Sequence, residues 1–79
     1  MLPKDVLCFS FLGKRIKQLR QEKGIDQKAF AFDCDISKTQ LHHIEKGETD
    51  VRLGTLLKIT TELDLPLSEF FRDLEKNNF

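Results

Sequence analysis

Only Asp35 and Ile36 separate two amphipathic stretches in the middle of this chain, in the run AFDCDISKTQLHHIEKGE. A connector of that length has no room for a loop, so the two stretches must be short helices joined by a tight turn, each burying a face beside the other. Upstream, in DQKAFAFDCD, Asp26 can cap the first of them, and Phe30, Ala31 and Cys34 share one face. Downstream, Ser37 caps the second, Leu41 and Ile44 point inward, and Gly47 closes it with a left-handed residue. That second helix then presents Lys38, Thr39, Gln40, His42 and His43 on its remaining surface. Such a density of hydrogen-bonding groups on one short helix needs a reason.

The rest of the chain supplies helices for this pair to pack against. Leu12, Ile16 and Leu19 recur at helical spacing among Lys14, Arg15, Lys17 and Gln18, and Gly24 ends that helix. A fourth helix is expected in VRLGTLLKITTELD, with Leu53, Leu56, Leu57, Thr60 and Leu63 facing inward, Thr49 or Asp50 as its cap, and Gly54 as a weak point. Leu65 and Pro66 turn the chain. Pro66 then suits the first turn of a fifth helix carrying Leu67, Phe70, Phe71 and Leu74. No strand-like alternation occurs, so the expected class is all-α: a compact five-helix domain over residues 12–75, an N-terminal extension over 1–11 and a frayed end over 76–79. At 79 residues, a single core is near the smallest that holds without staples.

Composition removes several classes of function. No run approaches the ~18 apolar residues of a membrane span, and the opening MLPKDVLCFSFLGKR lacks the basic region and cleavage site of a signal peptide, so a cytoplasmic protein is expected. Cys8 and Cys34 have no C-x-x-C spacing and read as small buried hydrophobes. His42 and His43 are neighbours and point about 100° apart on a helix, which does not suit a shared metal. With no phosphate-cradling glycine loop and no nucleophile beside a base, neither enzyme, metal nor cofactor is expected. Lys and Arg number thirteen, as do Asp and Glu, yet up to Lys46 the balance is nine against six and after it four against seven. The first part, at +3, is the one suited to an anionic partner.

Two short helices joined by a tight turn, the second polar outside and apolar inside, describe a helix-turn-helix unit whose second helix reads bases in a major groove. Lys38, Thr39 and His43 lie where side chains reach base edges, and Gln27 and Ser37, at helix N-termini, lie where side chains and N–H groups meet phosphates. From Leu12 to Phe71 the chain, with LGKRIKQLRQEKGIDQKAFAF, DISKTQLHHIEKGE and LLKITTELDLPLSEFF, resembles the Cro/CI-type (lambda-repressor-like, XRE-like) helix-turn-helix family. The matching set is Arg20, Gly24, Gln27, Ala31, Ile36, Ser37, Ile44, Glu45, Gly47, Leu56, Ile59, Leu63 and Phe70.

The resemblance implies a transcriptional regulator, such as a repressor, that binds double-stranded operator DNA and often does so as a homodimer. By the same resemblance Lys38, Thr39 and His43 match base-reading positions, Gln27, Ser37, Gln40 and Lys46 match phosphate-contacting ones, and Arg20 and Glu45 match a scaffold ion pair. Departures are visible too. Asp35 stands where glycine is preferred, Glu48 and Asp50 bring acid close to the expected phosphate path, and Thr60 replaces a small apolar residue and is expected to bond back to the preceding turn. Phe32, in an outward position, is expected to cover the segment around Leu7 and Phe9 or else to mark a partner surface. Phe70 and Phe71 cannot both easily enter one small core, so Phe71, with Leu67, Leu74 and Phe79, is expected to form a dimer interface, or else to fold back onto the segment around Leu7 and Phe9 and leave the protein monomeric. The alternative is a protein-interaction module, such as an antitoxin or adaptor component, using the same fold.

Overall fold

Five helices follow one another in the order α1 Lys4–Glu22, α2 Gln27–Asp33, α3 Lys38–Glu45, α4 Leu53–Glu62 and α5 Leu67–Glu75. The computed structural model describes residues 4–76, and the side chains of residues 8–72, 75 and 76; among them there is no strand. The expected fraying at the C-terminus and the side chain of Leu7 lie outside the described residues. The helical periodicity delivers one core from all five elements: Leu12 and Ile16 from α1, Phe30 and Ala31 from α2 with Cys34 just beyond it, Leu41 and Ile44 from α3, Leu56 and Ile59 from α4 followed by Leu63, and Phe70 from α5. Burying one such Phe or Ile contributes ~1.5–3 kcal/mol. Cys34 is fully buried, and burial, with Glu62 and Asp33 adding repulsion, pushes its thiol up to about 12.

The first four helices end in the same way. At each C-terminus a residue with positive φ, namely Gly24, Asp35, Gly47 or Asp64, donates its N–H back to the carbonyl three residues earlier. The next residue donates to the carbonyl five back: Ile25 to Arg20, Ile36 to Ala31, Glu48 to His43 and Leu65 to Thr60, at 3.0–3.3 Å. These are Schellman motifs, which satisfy carbonyls the helix leaves open and reverse the chain sharply enough for helices this short to close on a core. Asp35 holds the left-handed conformation at φ 61, as an aspartate tolerates. Asp64 does the same at φ 55.

Helix α1 is longer than the apolar repeat from Leu12 suggests, and it runs through the boundary expected at residue 12. Its packing explains the extra turns. A Cβ on Gly13 would overlap the carbonyl oxygen of Ile44 and lie 2.8 Å from that of Glu45, so the bare glycine lets α1 touch the backbone of α3 directly. One turn earlier, Ser10 sits against Gly47, where a Cβ would be 2.7 Å from its Cα.

Four local expectations change. Leu53 and Leu57 do not face inward: they are 67% and 53% exposed, because Leu56, Ile59, Thr60 and Leu63 already form the buried stripe of α4. Neither Thr49 nor Asp50 caps α4; Asp50 Oδ1 accepts from Val51 N–H at 2.7 Å, and the helix begins only after Arg52, which makes no side-chain cap bond. Pro66 lies just before α5, where its carbonyl accepts the Phe70 N–H at 3.1 Å. Phe32 covers nothing near Phe9, being 83% exposed, since the described part of the N-terminal segment rests on the end of α3 instead. The Thr60 hydroxyl does bond back, donating to Leu57 O at 3.1 Å.

Candidate nucleic-acid interface

Helix α3 is divided lengthwise between anchor and display. Leu41, Ile44 and Glu45 are buried, while Lys38, Thr39, Gln40, His42 and His43 are exposed. Its start is fixed by a capping box: Ser37 Oγ accepts the Gln40 N–H at 3.0 Å, and Gln40 Oε1 accepts the Ser37 N–H at 3.0 Å. Each of these oxygens is turned toward the cap. The Ser37 hydroxyl proton and the Gln40 amide group therefore remain as donors beside the N-terminal turn, where the helix dipole already favours an anion.

A buried ion pair holds the helix to its scaffold. Arg20 Nε and Nη2 donate to the two carboxylate oxygens of Glu45 at 2.7 and 3.0 Å, and Arg20 Nη1 donates to Ile25 O at 2.8 Å. Gln27 Nε2 donates to the same carboxylate at 3.1 Å. Gln27 is thus half-buried at the first position of α2, with its amide nitrogen directed to Glu45 rather than outward. Its backbone N–H lies in the first turn of a helix capped by Asp26, which accepts from Ala29 N–H at 2.7 Å.

At the far end of α3, acid meets the display face. Glu48 Oε2 lies 3.2 Å from His43 Nδ1, and its other oxygen lies 3.8 Å from Lys46 Nζ. The rings of His42 and His43 meet edge to face with centroids 6.0 Å apart. Between α3 and the start of α4 is an open, mainly polar cleft lined by Gln40, His43, Thr49, Asp50, Arg52 and Thr55. Arg52 and Thr55 had not been singled out from the sequence. The available signal was that Arg52 is the one basic residue between Gly47 and the fourth helix.

The structure thus gathers Ser37, Lys38, Thr39, Gln40 and His43 on one helix, with Lys46 just past its end and Gln27 joined to it through Glu45. The expected dimer residues stand elsewhere. Leu67 is half-buried against the core, and Phe71 is 37% exposed with its ring edge-on to that of buried Phe70. The side chain of Leu74 and all of Phe79 lie outside the described residues.

A family model described as helix-turn-helix matches residues 16–70. The control protein C.MunI of a Mycoplasma species is 42% identical over 65 residues, covering 81% of this chain and 88% of that protein. Other relatives, themselves helix-turn-helix transcriptional regulators, are longer, and the chain spans 55% of one and 34% of another. Among solved structures, the restriction-modification controller protein C.AhdI of Aeromonas hydrophila superposes with a TM-score of 0.77 at 29% identity, over 82% of this chain and 94% of that one. The controller protein C.Esp1396I, crystallised as a tetramer in complex with its natural 35 base-pair operator, gives 0.77 at 28% identity, over 87% and 91%.

Proposed function

This chain belongs to the helix-turn-helix family, and from that premise we propose that it is a transcriptional regulator that binds double-stranded operator DNA with α3 in the major groove. The observation that carries the reading is the lengthwise division of α3, which buries Leu41, Ile44 and Glu45 and leaves every polar side chain of its outer face accessible. Lys38 and Thr39 occupy the first turn, where side chains reach base edges, and His43 lies one to two turns further on. Ser37, Gln40, Lys46 and the N-terminal turn of α2 at Gln27 address phosphates, and Arg52 joins them at the uncapped start of α4. The protein acts in the cytoplasm by binding, without catalysis. It works as a homo-oligomer, for which the exposed apolar side chains of Leu53, Leu57 and Phe71, with half-buried Leu67, supply the contact; a two-fold pair would then read half-sites ~34 Å apart.

A second reading draws on Phe32. It stands bare on α2 above a shallow apolar cleft that includes Ala29, Ala31 and Ile36, a surface suited to a protein partner. Titration of duplex DNA at about 50 mM and about 200 mM salt separates the two, because release of counterions from phosphates makes the affinity of a dimer with Lys46 and Arg52 on phosphates fall by ~10²-fold over that range. Lys46→Ala should weaken all sequences alike, whereas Lys38→Ala should cost ~1–3 kcal/mol on cognate DNA alone. Binding that is absent, or indifferent to salt, overturns the DNA reading.

A further inference from the structure

Glu48 is out of place electrostatically. It follows α3, where the helix dipole disfavours a negative charge, and it stands close to the route proposed for phosphates, where acid weakens binding of any sequence. Its place in the backbone is equally distinctive. It is the residue after the left-handed one in a Schellman motif, a position that ordinarily packs an apolar side chain back on the helix. Ile25, Ile36 and Leu65 occupy that position at the ends of α1, α2 and α4. At the end of α3 it is a glutamate, and its N–H bonds to the carbonyl of His43 at 3.0 Å while its carboxylate reaches the ring of the same histidine at 3.2 Å.

His43 is therefore gripped twice by one residue. Both side chains are about half exposed, so the contact contributes little to stability. What it does fix is the ring. A carboxylate only accepts, so in the neutral imidazole the proton sits on Nδ1, and Nε2 carries the lone pair. We propose that Glu48 is a specificity-determining residue of the DNA-reading face: by holding His43 Nδ1–H it presents Nε2 as an acceptor, so that His43 selects a base offering an amino group, adenine N6 or cytosine N4. Lys46, on the other carboxylate oxygen at 3.8 Å, limits the charge that Glu48 turns toward the phosphates. The inference rests on the DNA-reading function proposed above.

The test is selection of binding sites from a randomised duplex pool by wild type, His43→Ala, Glu48→Ala and Glu48→Gln, with circular dichroism to confirm that each is folded. Wild type should enrich adenine or cytosine at one position per half-site, and His43→Ala should lose that preference alone. Glu48→Ala should lose it at the same position, by about tenfold in relative affinity, although its general affinity for DNA rises. Glu48→Gln separates position from charge, because it removes the charge but keeps an oxygen that accepts from Nδ1–H, and it should retain the preference. If Glu48→Ala binds all duplexes more tightly with unchanged preferences, or if Gln behaves as Ala does, Glu48 acts only as a charge and the proposal fails. Failure of wild type to enrich any sequence overturns the DNA-reading function itself, a result distinct from both.

Discussion

Replacing Glu45 by alanine is the sharpest probe of how α3 is held. The residue is 5% exposed and its partner Arg20 6%, and the two are joined by bonds of 2.7 and 3.0 Å. Truncation leaves the guanidinium buried with Ile25 O as its remaining described acceptor, and it strips Gln27 of its bond as well. Removing one member of a buried pair costs ~3–5 kcal/mol, mostly for the charge left behind rather than for the bond lost. At 0.05–0.15 kcal/mol per residue the whole domain holds roughly 4–12 kcal/mol, so Glu45→Ala removes a large share of it. With an unfolding entropy of ~2.1 cal/mol/K per residue, a 3 kcal/mol loss lowers Tm by about 18 °C. The sequence contains neither Trp nor Tyr, so urea and thermal unfolding are best followed by far-UV circular dichroism. Arg20→Ala should cost a similar amount, and the double variant should cost clearly less than the sum, since it leaves no orphaned charge. Two losses below about 1 kcal/mol that simply add would refute the reasoning, because they would mean that both groups keep their hydration.

Gly13→Ala should destabilise the fold by ~1–3 kcal/mol or more in the same urea assay, because its Cβ meets backbone carbonyls of α3 that cannot move without carrying the helix with them. Asp64→Gly should stabilise by ~0.5–1 kcal/mol and Asp64→Ala should not, since the position requires a left-handed backbone and its exposed bond to Lys23 at 2.9 Å contributes little. For Cys34, the folded thiol titrates at about 12 against an ordinary 9.0, so the unfolded chain sheds its proton first and stability falls as pH rises above about 9. Cys34→Ala should show a flatter decline over that window, while in the wild type the Cys34 thiol should react with disulfide reagents only as fast as the domain opens.

The central part of this fold was readable because each of its signals is local. Asp26, Ser37 and Gly47 act within one helical turn, and the spacings of Leu12 and Ile16 or of Leu41 and Ile44 register directly as buried faces. Where the reading went astray, two helical stripes competed. Leu53 and Leu57 form one at i, i+4, and Leu56, Ile59, Thr60 and Leu63 form another; the second wins because it holds more positions and lies on the side to which the turns deliver α4. Nothing local distinguishes them. Asp64 escaped notice because a left-handed aspartate resembles any polar residue in a turn, although Asp35 shows that the chain uses the device. Gly13 was equally silent, for its reason lies in the backbone of Ile44 and Glu45, far along the chain. Of the candidate interface, the residues on α3 were legible as a set, but the grip of Glu48 on His43 was not, because it depends on a turn that brings the two together.

Contacts from α1 hold the C-terminal end of α3, and this bears on how such a helix reads DNA. Gly13 lies against the carbonyls of Ile44 and Glu45, Ser10 against Gly47, and Arg20 holds the carboxylate of Glu45. The other end is fixed by its own capping box at Ser37 and Gln40 and by the turn from α2, where Ile36 packs on the core and donates its N–H to Ala31 O at 3.0 Å. Both ends are thus set relative to the core, the C-terminal half through α1 and the N-terminal turn carrying Lys38 and Thr39 through α2. A helix held at both ends presents a rigid backbone to a groove, so little backbone order has to be imposed on binding. Binding free energy then goes into base contacts rather than into ordering the reader. The same arrangement explains why the ion pair belongs to the reading apparatus without touching DNA: loosening Glu45 frees one of the two ends that set the angle of α3, and with it the direction in which Lys38 is presented.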